Sequence, residues 1–341
     1  VNYLNMLPFF ATEPQVHLAF SPSELNSQLL NGQVITGCSS VIAGLRAGLS
    51  WVQPIMGVAA DGPVGSVFVE PLGLNTRRGQ MDSWIEILEN NAYGHSHQER
   101  SARTHSKSCI LTILTSGASA QSLWIFSKLC NQQGIATRTV TIPEHWEEYP
   151  PEEILAAAQS LNLIIADGES SIQSLTALLV IGDPALRRTH LFPACHATGT
   201  HPLLGQAPWR IDLGSMWRDY CGLPCVFALW FAAKDAPTFA IESAAARIRS
   251  AMESWSQLDQ DSRTQQALRY LESTGKATLA KELGPHFLAN YLDQLRFDLD
   301  SPPYIESLRI MADLMEVDDQ ASLVIPKQRQ TPFTLQQQFG E

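Results

Sequence analysis

Gly62-Pro63-Val64-Gly65-Ser66-Val67 and Gly222-Leu223-Pro224-Cys225-Val226-Phe227 are two versions of one phrase: a glycine and a proline halt the chain, and an apolar strand begins. Two such passages far apart in sequence are what a chain needs to leave one globular unit and later return to it. The reading is a two-lobed α/β protein. One lobe is expected from residues 1–68 plus 226–341 and the other from residues 69–225, with the two passages as hinges beside a ligand cleft.

Outward from these passages, strand-like apolar runs followed by a polar turn and a helical pattern recur along the chain, which predicts βα units on mainly parallel sheets. Ser21-Pro22-Ser23-Glu24 reads as a helix start, with an N-cap serine, proline in the first turn and early acidic charge, followed by Leu25, Leu29 and Leu30. A strand over residues 34–38 then runs into Ser39-Ser40 and a helix over 41–47. A second switch joins a strand over 110–114 to Thr115-Ser116-Gly117-Ala118-Ser119, and a third joins 178–181 to Gly182-Asp183-Pro184. Helix N-termini carry partial positive charge and unpaired N–H donors, so each switch either grips a ligand carboxylate or has its small polar residue cap its own helix. For Asp183, followed by Pro184, the cap is the better reading. Residues 240–315 are helical by pattern. The polar stretch 90–108, with His95 and His97, reads as a surface insertion, and the tail from 326 as frayed.

The chain has 341 residues, 45% of them hydrophobic and 17% charged, enough for two cores. Its formal net charge of -11 argues against nucleic-acid or anionic-membrane partners, which require a basic face, but leaves room for a small anion in a local pocket. No apolar run is long enough to span a membrane. Six scattered cysteines without CxxC spacing are expected as free thiols in a reducing cytoplasm. His95-x-His97 lacks a third ligand, and there is no dinucleotide fingerprint or P-loop, so we expect neither metal nor organic cofactor. The residues at Val1 read as the end of a strand, which leads us to expect further sequence ahead of it.

In their order and spacing, several motifs resemble the chorismate dehydratases of the futalosine route to menaquinone, over residues 1 to about 315. They are Tyr3-Leu4-Asn5-x-Leu7-Pro8, Ser23-Glu24-Leu25, Ser39-Ser40-Val41, Asp61-Gly62-Pro63-Val64-Gly65-Ser66-Val67 and Ile181-Gly182-Asp183-x-Ala185-Leu186. Asp212-Leu213-Gly214-x-x-Trp217, the run from Gly222 to Trp230, and a late helix around Tyr291-Leu292-x-x-Leu295-x-Phe297-x-Leu299 complete the set. The family is similar in fold to type II periplasmic solute-binding proteins. Its reaction removes water from chorismate to give 3-[(1-carboxyvinyl)oxy]benzoate. The dihydroxynaphthoate synthases of the same pathway share the fold but are less similar at Tyr3-Leu4-Asn5 and at residues 62–67, and a non-catalytic solute-binding protein is the reading from a different class. Two departures stand out. Ala118-Ser119-Ala120 replaces an Arg-Thr-Ser run common in relatives, and the stretch 76–108 is longer than usual.

The resemblance implies that Asn5, at the end of the first strand, and Ser66, on the crossing strand, lie in the cleft as catalytic residues, with Ser39, Ser40, Ser116 and Ser119 as substrate-binding candidates. Asn5 as a turn-former and Ser66 as a small hinge residue are the alternatives. None of the matched cleft motifs supplies a histidine, lysine or glutamate as an evident base. The enolpyruvyl carboxylate of chorismate itself is the expected proton acceptor.

Overall fold

The computed structural model describes residues 3–10, 22–72, 109–116, 120–132, 135–164, 173–191, 195–196 and 209–319. Two sheets organise them, and the expected two-lobed α/β class is the fold observed. Pro22 opens helix α1 (Pro22–Leu30), where Leu25 and Leu29 are buried as their spacing predicts, while Leu30 is exposed. Ser21, the expected cap, lies outside the described residues. β1 (Thr36–Ser40) leads into α2 (Val41–Arg46), then β2 (Ser50–Trp51) and β3 (Met56–Ala60). The first passage crosses to β4 (Val67–Leu72), which is followed by β5 (Cys109–Thr115), α3 (Ala120–Gln132), β6 (Ala136–Thr141), α4 (Pro151–Ser160), β7 (Gln173–Ile181) and α5 (Gly182–Leu191). β8 (Cys195–His196), β9 (Trp209–Asp212) and α6 (Leu213–Cys221) precede β10 (Cys225–Ala232), the strand of the second passage. Four elements close the described chain around one more strand: α7 (Thr238–Ser256), α8 (Gln260–Ser273), α9 (Ala277–Gln294), β11 (Leu295–Asp298) and α10 (Pro302–Asp319).

The first sheet has the order β1-β10-β3-β11, with β2 also pairing β10; the second has the order β6-β5-β7-β4-β9-β8. The expectation of mainly parallel sheets needs correction. Every pairing in the first sheet is antiparallel, and in the second β4 is antiparallel to both β7 and β9, while β5 is parallel to β6 and β7 and β8 to β9. Every antiparallel pairing except that of β11 with β3 involves β4 or β10, the strands that follow the two passages. β4 and β10 enter a sheet from the opposite sheet's side, so each runs against the βα strands beside it. The first helix-ending glycine of the second passage has a plain cause: Gly222 terminates α6 in the left-handed region at φ 75, its N–H bonded to the Arg218 carbonyl, and Pro224 stops any continuation.

A second correction concerns the run 291–299. The helix ends at Gln294, and Leu295 and Phe297 are buried while Arg296 and Asp298 face solvent, the two-residue period of an edge strand. Below the second sheet, Glu70 is fully buried and its carboxylate meets Arg188 at 2.6 and 3.0 Å and Arg210 at 2.9 Å. Arg188 also donates to the carbonyls of Glu147 and Tyr149, at 3.0 and 2.5 Å, and Arg210 lies over the Phe68 ring at 4.4 Å. Burial pulls the Arg210 guanidinium below the usual arginine range, and the Glu70 carboxylate opposes that shift. Among the described residues no helix is long and apolar enough to cross a membrane.

Candidate functional site

Three separate stretches of chain close on the first turn of α5. Gly182 sits at φ 67 and its N–H donates to the Ser66 carbonyl at 2.7 Å. A Cβ there would stand 3.0 Å from the Tyr3 ring, so the position demands both the left-handed backbone and the missing side chain. Asp183 follows, almost wholly buried. One of its carboxylate oxygens accepts the Leu4 N–H at 3.1 Å, and the other accepts Lys276 Nζ at 2.6 Å. The Lys276 ammonium lies 5.9 Å from the Tyr3 ring centroid, at the edge of cation–π range. The expectation that Asp183 caps its own helix is thus replaced by a cross-chain role. Its carboxylate ties the start of α5 to the N-terminal segment and to the turn between α8 and α9.

Asn5 follows Leu4 in this junction, but in a 3-10 helix, Leu4–Phe9, and not at the end of a strand. Leu4, Met6, Leu7, Pro8 and Phe9 are buried there, a pattern too dense for the alternation of a strand, and Asn5 stays partly exposed among them. Ser66, which Gly182 holds by its carbonyl, is fully buried, and its Oγ accepts a hydrogen bond from the Tyr291 hydroxyl at 3.1 Å. Burial pushes the Tyr291 phenol well above its ordinary value, with the Asp183 charge adding to the rise and the bond to Ser66 opposing it. Tyr270 is raised by burial and by the same carboxylate. Both phenols therefore remain protonated donors at neutral pH.

The turn that carries Ser66 is held by a residue that sequence reading quoted without assigning it work. Asp212 caps α6 by accepting the Ser215 N–H at 3.0 Å, and the same carboxylate accepts Val64 N–H at 3.0 and 3.1 Å and Gly65 N–H at 2.8 Å. Burial raises the Asp212 carboxyl while the amides of Gly65, Ser215, Val64 and Gly214 pull it back down. Its neighbour Gly214 passes so close to the turn that a Cβ would stand 2.2 Å from the Gly62 carbonyl oxygen. An Asp-x-Gly at a strand-to-helix switch was the available signal. Only the cap half of its meaning is local enough to read.

The remaining candidates are placed elsewhere or are already engaged. Ser40 caps α2 through the Ala43 N–H at 3.3 Å, and the Ser39 hydroxyl donates to Asn26 Oδ1. The next free amide of that helix, Ile42 N–H, is taken at 2.9 Å by Gln121 from α3, whose own amide nitrogen donates to the Val226 carbonyl at 3.2 Å and meets the Met311 sulfur at 3.4 Å. The N-terminus of α2 is therefore occupied by protein groups. Ser116 stands one residue beyond β5, partly exposed. Ser119 and Ala118, like His95 and His97, lie outside the described residues. Among the described residues no group of three or more histidine, cysteine or acidic side chains could hold a metal ion.

Such a junction offers neutral donors, Ser66 with Tyr291 behind it and the partly exposed amide of Asn5, beside a carboxylate and ammonium that neutralise one another. It is suited to holding an anion and to stabilising charge that develops on it, and less suited to proton abstraction, since the Asp183 carboxylate already accepts two donors.

Among solved structures, the fold is similar to that of protein AF1704 from Archaeoglobus fulgidus, with TM-score 0.53 and 11% identity over 94% of this chain and 96% of that one. The periplasmic aliphatic sulphonate binding protein SsuA from Escherichia coli superposes with TM-score 0.46 and 13% identity over 93% of this chain and 85% of that one. For the alkanesulfonate-binding SsuA of Xanthomonas axonopodis pv. citri the values are 0.40 and 14%, over 91% and 86%. No curated protein matches the sequence. Residues 166–316, which contain Asp183, Asp212, Lys276 and Tyr291, match the family described as menaquinone biosynthesis, and this match supports a role in that pathway.

Proposed function

We propose that this protein is a chorismate dehydratase, a hydro-lyase acting in the cytoplasm without metal or organic cofactor. The observation that carries the reading is the junction at α5. It places the segments bearing Asn5 and Ser66 against one helix start, with the Ser66 turn clamped by Asp212. The menaquinone-biosynthesis match supports the pathway, and Cys38, Cys221 and Cys225, all free thiols, suit a reducing compartment. The cleft lies between a lobe of residues 1–68 plus 226–341 and a lobe of residues 69–225.

In the reaction the C3–H and C4–O bonds of chorismate break, the ring gains the double bond that makes it aromatic, and the proton and hydroxide leave together as water. The C3 proton is acidic because its removal places negative charge on the ring carboxylate through the conjugated diene. Ser66 donates to that carboxylate where the charge grows, which lowers the barrier more than it tightens ground-state binding. The enolpyruvyl carboxylate of the substrate, held by Asn5 over the C3 hydrogen, takes the proton, and proximity supplies what a dedicated protein base would otherwise supply.

The test is incubation of the purified full chain with chorismate and detection of 3-[(1-carboxyvinyl)oxy]benzoate by liquid chromatography and mass spectrometry, at a mass lower by one water. Accumulation of that product is the expected result. Saturable chorismate binding without product would make the protein a carboxylate-binding protein instead, and neither binding nor product would remove chorismate from the reading.

A further inference from the structure

We infer that Tyr291 is a positioning residue for the proposed dehydration: it donates its phenolic hydrogen to Ser66 and thereby turns the Ser66 hydroxyl hydrogen toward the substrate carboxylate. The inference rests on the chorismate reading above, and it adds a residue that no motif assigned to the chemistry.

Ser66 is fully buried and Tyr291 nearly so, and their oxygens are 3.1 Å apart. A hydroxyl has one hydrogen to give. With Tyr291 donating, the Ser66 oxygen is the acceptor in this pair, and its own hydrogen remains for another acceptor. Among the described residues no hydrogen bond takes that hydrogen. In a buried pair the donating partner also strengthens the next bond in line, because the two bonds polarise one another. Tyr291 is well placed to keep its role as donor. It is anchored in α9, which follows the α8–α9 turn carrying Lys276, and the carboxylate that Lys276 holds, Asp183, belongs to the helix whose first amide grips the Ser66 carbonyl. Both ends of Ser66 are thus set from outside its own turn: its carbonyl by Gly182 and its hydroxyl by Tyr291.

If Tyr291 were packing alone, its hydroxyl would influence stability and leave the chemical step unchanged. As a positioning residue it must act on kcat, and only through Ser66. The experiment compares the full-length wild type, Tyr291→Phe, Ser66→Ala and the double variant, measuring kcat and KM for chorismate together with thermal unfolding. Tyr291→Phe should lower kcat by about tenfold with KM changed by less than about twofold, because a donor that matters when charge develops is a transition-state interaction. In the Ser66→Ala background the same change should alter kcat by less than about twofold, since residues acting as one unit are not additive.

Unchanged kcat in Tyr291→Phe, or equal losses with and without Ser66, would overturn the role while leaving the dehydratase reading in place. A wild type that makes no product overturns the dehydratase reading and the role with it. Because removing both hydroxyls leaves no unpaired buried group, the double variant also supplies a folded protein should Ser66→Ala alone unfold.

Discussion

Ser66 is constrained from two sides, buried completely, gripped at its carbonyl by Gly182 and at its hydroxyl by Tyr291. Two effects are therefore expected from Ser66→Ala. The loss of one donor at developing charge should lower kcat for chorismate by about a hundredfold to a thousandfold. The Tyr291 hydroxyl, left buried without its acceptor, should reduce unfolding free energy by about 1–3 kcal/mol, read from urea melts. Asn5 differs because it is partly exposed, so its substitution should leave stability almost untouched. Asn5→Ala should remove most turnover, and Asn5→Asp should do no better, since a carboxylate at this point repels the carboxylate it must position. An Asn5→Asp variant as fast as the wild type, with a rate rising through one acidic pKa, would identify position 5 as a protein base and defeat the substrate-assisted scheme.

At the scale of elements, the passage from Asp61 to Ser66 is shaped both by its own glycines, Gly62 at φ 107 and Gly65 at φ 67, and by α6 behind it. Asp212 presents one carboxylate to the first turn of α6 and to two amides of the passage, so the helix start and the crossing are tied to the same side chain. Gly214 allows that contact, with room for no more than hydrogen 2.2 Å from the Gly62 carbonyl oxygen. Gly214→Ala, which elsewhere in a helix would raise stability, should here cost about 2 kcal/mol or more, because backbone must shift to relieve the overlap. Chemical denaturation measures it, and a variant as stable as the wild type would show that the turn can retreat without loss. The elements themselves were largely legible. Pro22 at a helix start, Leu25 and Leu29 on its inner face, and glycine and proline ahead of β4 and β10 all act through neighbours within a few residues. The misreadings share a cause too: Leu4 to Phe9 and Leu295 to Asp298 are short, and over so few residues periodicity separates helix from strand poorly.

For the molecule as a whole, the second sheet depends on a buried ionic cluster that no local pattern announces. Glu70 on β4 supplies one carboxylate to Arg188 of α5 and Arg210 of β9, joining three elements around a single negative charge. Glu70→Gln should leave two buried guanidinium groups without their counter-charge and cost about 3–5 kcal/mol, seen as a lowered urea midpoint. The same elements carry the site: α5 begins at Gly182 and Asp183, β4 begins just past Ser66, and β9 ends at Asp212. A loss of activity in Glu70→Gln at temperatures well below its midpoint would mean that the cluster sets the junction's geometry as well as its stability.

What the sequence determined by itself were the properties set within a turn or a strand: helix starts, the two crossings, the alternation of strands and helices, the acidic balance, and the motifs bearing Asn5 and Ser66. Backbone sterics and the burial period of a single element decide these, and both act over a handful of residues. The tertiary structure alone decided the partners. Tyr291 reaches Ser66 across 225 residues of chain, Leu4 meets Asp183 across 179, and Asp212 clamps Val64 across 148. Such pairs arise only after two sheets and their helices have packed, because a buried donor must find an acceptor among whatever the packing brings beside it, and sequence distance places no limit on which residue that is.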